Sequence, residues 1–370
     1  MTGARCSPMD HPGRIDRLRA ALEGVPVDAV LINDPLSRRY LTGFTGSAGL
    51  VLISGDAVTF VTDGRYGEQA AAQLRSAGVD ARLVVTGTGQ REAVANAAAG
   101  HARIGLEADS VTWAAQRRYA EDWFTDQELV PTDRLVADLR MIKDDAEIER
   151  MSAAASIADE ALAGLAPTLL DGPSEAEFGR ALDSEMRRLG ADGPSFETIV
   201  AGGPNGARPH ARPSDRTIVE GDLVVIDFGA VVDGYCSDMT RTFAVGEIDP
   251  TERRMIEVVT EAQATGVEQI AAGVPAVAVD EACRTVIDRA GWGDAFLHGT
   301  GHGVGLEIHE DPRVSSASTG TLAAGHVVTV EPGVYLPEHG GVRVEDTVVV
   351  TEGGCTPLTR APKDPDPRVR

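Results

Sequence analysis

Gly221-Asp222-Leu223-Val224-Val225-Ile226-Asp227-Phe228-Gly229 and Gly325-His326-Val327-Val328-Thr329-Val330-Glu331-Pro332-Gly333 follow one frame: glycine, an apolar run, a carboxylate, then glycine. Each apolar run reads as a buried strand, and each ends in an acid that is costly to bury alone. A turn and a second strand follow each, and the second strand brings another acid. Asp233-Gly234 leads to Asp238, and His339-Gly340-Gly341 leads to Glu345. Positions 331 and 345 are symmetric about 338, inside the turn segment, and 227 and 238 about 232.5, beside the Asp-Gly turn. Each hairpin therefore sets two carboxylates opposite each other or one diagonal apart. Directly opposed Cβ atoms lie about 4.5–5.5 Å apart, so paired acids there need a cation between them. The four acids point to a metal site.

Between the two hairpins runs His298-Gly299-Thr300-Gly301-His302-Gly303-Val304-Gly305-Leu306-Glu307-Ile308-His309-Glu310. Three of the chain's eight histidines fall within these residues, interleaved with glycines that let backbones approach closely. A lone histidine is more often a core or surface hydrogen bonder than a ligand, but four acids without obvious counter-charge weaken that reading here. His210 sits in a turn-rich loop, Pro204-Asn205-Gly206-Ala207-Arg208-Pro209-His210, just upstream of the first strand.

Composition narrows the function class. The 370 residues suffice for two cores, and 42% hydrophobic residues is a globular value. No window approaches the ~20 apolar residues of a membrane span, and Met1 to Pro12 carries no signal-like apolar segment. Cys6, Cys236, Cys283 and Cys355 show no paired spacing, as expected of reduced thiols in a cytoplasmic protein. A net charge of −23 disfavours a nucleic-acid partner.

Residues 13–130 alternate helical and strand-like patterns: a helix over 14–22, then strands over 29–33, 49–53, 58–62, 83–85 and 104–106. From Arg140 to about Leu170 the pattern is helical, with Ile148, Met151, Ile157, Leu162 and Leu165 on one face. Ser174 and Glu177 form a capping box that opens a helix ended by Gly190, and two more helices fit 251–272 and 277–290. The fold class is α+β: a smaller N-terminal α/β domain over 13–139 and a larger domain over 140–361 that carries both acid-bearing hairpins. The Pro-rich tail after Ala361 is expected to fray. Trp113, Trp123 and Trp292 are expected to pack.

Asp227-Phe228-Gly229, Ser237-Asp238-Met239-Thr240-Arg241-Thr242, Gly301-His302-Gly303-Val304-Gly305, Val330-Glu331-Pro332-Gly333 and Gly340-Gly341-Val342-Arg343-Val344-Glu345-Asp346 occur in this order. Together they resemble the pita-bread metallopeptidases, in the branch of the Xaa-Pro aminopeptidases and prolidases. Tyr40 to Ser47 and Thr62 to Tyr66 resemble the amino-terminal domain of Xaa-Pro aminopeptidases. The resemblance implies five metal ligands: Asp227, Asp238, His302, Glu331 and Glu345, with Asp238 and Glu345 bridging. It places His210, His298 and His309 at the substrate, with Arg343 beside the carboxylates and Tyr335 as a further residue that could line the site. It implies two divalent ions about 3.5–4 Å apart that lower the pKa of an attacking water. Glu331 would shuttle the proton, and His309 with His210 would stabilise the oxyanion or orient the peptide. Oxygen ligands with one imidazole suit Mn(II) or Co(II), and Zn(II) is compatible with the ligand types.

The resulting expectation is a cytoplasmic, homodimeric Xaa-Pro aminopeptidase acting on peptides with proline second, with no nucleic-acid or membrane partner. The alternatives are an Xaa-Pro dipeptidase and, from another class, a non-catalytic pita-bread binding protein. A methionine aminopeptidase is disfavoured by the amino-terminal domain, and a metal-free creatinase-like hydrolase by the intact ligand set. A dipeptidase needs a group that caps the proline carboxylate, for which Arg208, Arg212, Arg38 and Arg39 are candidates.

Overall fold

The computed structural model describes residues 6–369. They divide into two compact units, residues 8–140 and residues 141–369 with 6–7.

The first unit is built on a mixed six-stranded sheet. Its strands are β1 (Ala29–Ile32), β2 (Leu50–Ser54), β3 (Val58–Thr62), β4 (Arg82–Val85), β5 (Arg103–Glu107) and β6 (Glu128–Thr132), in the order β4-β3-β2-β1-β5-β6. β6, which the sequence pattern did not reveal, carries Pro131 and lies at the sheet edge, where a missing N–H costs little. α1 (His11–Leu22) starts earlier than 14, because the Asp10 side chain accepts from Gly13 N and Pro12 fits the first turn. The short α2 (Pro35–Thr42) was also missed, although Asp34 caps it and Gly43 ends it at φ +70. Trp113 departs from the packing expectation: it is 79% exposed.

The second unit has two halves, each a helix pair laid against strands. In the first half, α3 (Asp145–Leu165) and α4 (Glu175–Leu189) cover the sheet β12-β9-β8. These strands are β8 (Ile199–Gly202), β9 (Leu223–Phe228) and β12 (Met239–Ala244); the short β7 (Gly193–Pro194), β10 (Ala230–Val232) and β11 (Tyr235–Cys236) form the sheet β11-β10-β7. The expected capping box of Ser174 with Glu177 is present, and Asp144 with Glu147 forms another that opens α3. The buried stripe of α3 is mostly alanine (Ala154, Ala155, Ala158 and Ala161, with Met151 and Leu162), while Ile148, Ile157 and Leu165 are only half-buried. Small side chains let the helix approach closely, so the expected branched-residue face is displaced. Residues 145–171, the helix with its 3₁₀ extension, are long and apolar enough to span a membrane, with mean hydropathy 1.2, contrary to the sequence expectation. Here the stripe is core, packed with Phe178, Leu182, Ile226 and Phe228.

In the second half, α5 (Pro250–Gln269) and α6 (Ala276–Arg289) share a core with Val328, Val330, Val342 and Val348. Its strands are β13 (Gly301–Gly303), β14 (Glu310–Val314), β15 (Val327–Val330), β18 (Asp346–Thr351) and β19 (Gly354–Pro357), in the order β14-β13-β15-β18-β19. The ribbon β16 (Gly333–Leu336) and β17 (Gly340–Arg343) stands beyond β15 and β18.

The two halves meet along β12. Glu345 N donates to Thr240 O (3.1 Å), Thr242 Oγ1 to Arg343 O (2.8 Å) and Thr347 Oγ1 to Asp238 O (2.7 Å). The tail does not fray: Ala244 N donates to Pro365 O (2.8 Å) and Lys363 Nζ lies 2.6 Å from Asp346 Oδ2. All four cysteines are free thiols.

Candidate metal centre

The hairpin registers explain how the four acids converge. Val330 pairs with Asp346 and Gly333 with Arg343, so the second hairpin keeps one register through its interruption, and that register sets Glu331 opposite Glu345. In the first, Thr240 pairs with Asp227 and Val231 with Cys236, so Asp238 is one diagonal from Asp227. The offset comes from a two-residue turn at Asp233 (φ 46) and Gly234 (φ 77), both in the left-handed region that such turns require. Only Asp227 lies inside a regular strand; Asp238, Glu331 and Glu345 occupy breaks in the ladders. Their backbone is tied elsewhere, as where Glu331 N donates to Thr300 O (2.7 Å). The breaks free these side chains to turn toward one point.

His302 reaches the acids from the central strand β13. A Cβ at Gly301 would lie 2.0 Å from Thr329 O, and one at Gly303 2.3 Å from Asp311 O, so neighbouring strands close tightly around the histidine only because it is flanked by glycines. Its Nδ1 lies 3.0 Å from Gly303 O, which places the ring proton on Nδ1 and leaves Nε2 as a lone-pair donor. Nε2 is 3.6 Å from Asp238 Oδ2 and 3.4 Å from Glu331 Oε1. Asp238, His302 and Glu345 each offer a ligand atom within 4.8 Å of one another.

The electrostatics are those of a cation site. Burial, then Glu345, Asp227 and Glu331, push Asp238 well above the usual aspartate range. Burial, then Glu331 and Asp227, do the same to Glu345. Burial raises Glu331 to about 8 against the opposing pull of Arg343. Burial also drives His302 down to about 3, so the imidazole is neutral and cannot balance the acids. Asp227 Oδ1 is buried without a hydrogen-bond partner, although Arg343 holds Oδ2 at 2.6 Å. An orphaned carboxylate oxygen and a neutral imidazole lone pair facing crowded acids fit divalent cations well.

The site residues read from the sequence come together on one cavity of about 350 Å³. Asp227, Asp238, His302, Glu331, Glu345, His210, His298, His309 and Arg343 all line it. Tyr335 does not: it is 4% exposed, and its hydroxyl lies 2.8 Å from both His298 Nε2 and Arg343, so it orients those two from behind. Burial, then the Arg343 charge, lower His298 to about 4. His309 packs against His302, ring centroids 4.4 Å apart.

The cavity also contains residues that no sequence motif singled out. Phe196, Ile199 and Ile308 give it an apolar wall, and Arg313 a cationic one. Arg313 is exposed, and among the described residues its guanidinium has no hydrogen bond or ion pair. The arginines suggested by sequence do not line this cavity. Arg212 pairs with Glu197 at 3.3 Å, Arg208 donates to Asn205 Oδ1, and Arg38 is buried in the other unit, donating to Gly46 O and Gly49 O.

Comparison with known proteins agrees with this geometry. Residues 149–352 match the model of metallopeptidase family M24, and residues 14–142 that of the creatinase/prolidase N-terminal domain. An uncharacterized peptidase of Bacillus subtilis is 42% identical over 95% of this chain and 99% of its own. The solved structure of an Xaa-Pro dipeptidase from Bacillus anthracis is 41% identical, covering 96% of this chain and 99% of that one with a TM-score of 0.90. An X-Pro aminopeptidase from Thermotoga maritima is 34% identical, covering 93% and 99%, with a TM-score of 0.87. The paired hairpins under two helix pairs are the pita-bread fold, and the chain belongs to metallopeptidase family M24.

Proposed function

We propose that this protein is a metal-dependent exopeptidase that hydrolyses the bond between an N-terminal residue and a following proline, and that it favours Xaa-Pro dipeptides. The observation that carries the metallopeptidase reading is the convergence of four crowded acids and a neutral His302 on a cavity shared with His210, His298 and His309. The residues that would hold the metal are Asp227, Asp238, His302, Glu331 and Glu345. Two Mn(II) ions are our reading, and bound there they would supply a Lewis acid for the scissile carbonyl and a water of lowered pKa.

The chain's own groups account for the rest. Proline has no N–H and a fixed φ, so its peptide needs a wall shaped for the ring, which Phe196, Ile199 and Ile308 provide. Glu331 takes the proton of the attacking water and passes it to the proline nitrogen as the C–N bond breaks. His309 and His210 donate to the oxygen on which negative charge develops. Arg343 fixes Asp227. A homodimer in the cytoplasm completes the reading.

Arg313 favours the dipeptidase over the aminopeptidase, because an uncommitted guanidinium on the wall suits a free proline carboxylate. The segments 40–47 and 62–66, which resemble aminopeptidase P, favour the other reading. Steady-state kinetics on Xaa-Pro and Xaa-Pro-Xaa peptides with Mn(II) decide. Losing a charge-assisted hydrogen bond costs about 1.5–3 kcal/mol, so Arg313→Ala should lower kcat/KM roughly 10- to 100-fold on dipeptides and much less on tripeptides. Faster tripeptide cleavage that is indifferent to Arg313 returns the aminopeptidase. Cleavage of neither sinks both.

A further inference from the structure

Of the three histidines placed at the substrate, His298 is held by Gly299 O and Tyr335, and His309 lies against His302. His210 differs. It is exposed toward the cavity, and among the described residues no hydrogen bond holds its ring. Its position is therefore set by the loop between β8 and β9 that carries it.

That loop is tied down by one buried carboxylate outside the cavity. Glu175, the first residue of α4, has 0% exposure. Its Oε1 accepts from Gly202 N (2.8 Å) at the start of the loop, and its Oε2 from Ser214 N (3.0 Å) and Ser214 Oγ (2.6 Å), four residues beyond His210. Asn205 Nδ2, inside the loop, donates to both oxygens, at 2.9 and 3.0 Å. The backbone of the same helix start adds Glu175 N to Arg216 O and Ala176 N to Ser214 O, each 3.0 Å. The opposite side of the loop rests on β17. A Cβ at Gly341 would lie 2.0 Å from Gly206 O, and Arg343 NH1 donates to Pro209 O at 3.3 Å. The loop is clamped between Glu175 and the strand that carries Arg343, and His210 projects from the clamped segment.

We infer that Glu175 is a positioning residue for His210: its carboxylate gathers Gly202, Asn205 and Ser214 on either side of the histidine and so fixes where the imidazole meets the substrate. The inference rests on the reading of His210 as a substrate-site residue. The chemistry of the clamp is specific, because both oxygens face donors only. A glutamine would turn one acceptor into a donor facing either Gly202 N–H or Ser214 N–H, and an aspartate is too short to reach both Gly202 and Ser214.

The test is a double-mutant cycle on the full chain loaded with Mn(II), read as kcat/KM for Xaa-Pro peptides, with hydrogen exchange of the 203–213 amides as a second readout. Displacing a substrate group by an ångström costs up to roughly 100-fold, so Glu175→Gln should lower kcat/KM by roughly 10- to 100-fold while leaving metal content unchanged. In a His210→Ala background the same substitution should change kcat/KM by less than about twofold. Exchange at 203–213 should rise while the 227–238 hairpin stays protected. Asn205→Ala removes two of the five contacts at a half-buried loop position and should repeat the pattern more weakly if Glu175→Gln does not fold. Equal losses with and without His210, or unchanged loop exchange, would overturn the inference. A wild-type protein that cleaves no Xaa-Pro peptide defeats the functional reading instead, and the exchange measurement still decides whether Glu175 holds the loop.

Discussion

Among the described residues, two groups in the second unit have the composition of a metal site, and they differ in burial and in hydrogen bonding. Asp238, His302 and Glu345 are buried, whereas Asp249, Glu252 and His339 are exposed or half-exposed; in both, the ligand atoms lie within 4.8 Å of one another. In the surface group every acid already has a partner. Asp249 Oδ1 caps α5 by accepting from Thr251 N (2.6 Å) and Glu252 N (3.0 Å), Glu252 Oε2 accepts from Asp249 N (3.1 Å), and His339 Nδ1 lies 3.1 Å from Asp249 Oδ2. Backbone hydrogen bonds, first from Glu252 N, hold the Asp249 carboxyl below its usual range. In the buried group burial, with the neighbouring acids, pushes Asp238 and Glu345 far the other way, and Arg343 offsets only part of this. Residue types within reach do not make a metal centre; burial with too little counter-charge does.

This contrast breaks most readily at Asp238. Asp238→Asn should release bound metal and lower turnover roughly 10³-fold or more, as expected when several kcal/mol of metal-derived stabilisation is lost. Asp249→Asn should change neither quantity, and metal analysis with kinetics on the two variants checks both. Loss of metal from the Asp249 variant would reverse the assignment.

The buried group also predicts how the metal-free protein responds to pH. Glu331 is raised from 4.5 to about 8, so between these values the folded chain holds a proton that the unfolded chain has released. Its contribution to stability is complete below the unfolded value and is lost as pH rises through about 8. His302, lowered from 6.5 to about 3, acts in the opposite sense only below its unfolded value. Above pH 6.5 the Glu331 effect therefore stands clear of it, and the Tm of metal-free protein should fall between pH 6.5 and 8. The metal-loaded protein should lack that fall. Identical Tm profiles with and without metal would contradict the charge crowding described for the cavity.

The smallest effect belongs to the surface group. Asp249→Ala removes a helix cap and should cost about 0.5–2 kcal/mol in denaturant unfolding, with hydrolysis unchanged.

What was legible in the chain follows the same division. The acid pairs could be counted from the sequence because a hairpin's register follows from its turn, and 338 is the true centre of the second hairpin. In the first, the count left opposed and diagonal placements open, and the turn centred between Asp233 and Gly234 selects the diagonal for Asp238. Local signals also revealed the capping box of Ser174 and Glu177 and most strands of the first unit. They missed β6, whose Pro131 argues against a strand until its edge position is known. Arg313 and Glu175 were invisible for a further reason. An arginine after a cis Asp311-Pro312 bond and a glutamate at a helix start have no pattern of their own, and their roles exist only through long-range neighbours. The Ala-rich stripe of α3 and the bound tail likewise depend on what lies opposite them.

A metal titration tests the buried centre most directly. Protein stripped by chelation and verified metal-free should bind two Mn(II) ions per chain at the cavity acids and regain Xaa-Pro hydrolysis as they load, whereas full hydrolysis by the metal-free protein, or no binding at those acids, would contradict it.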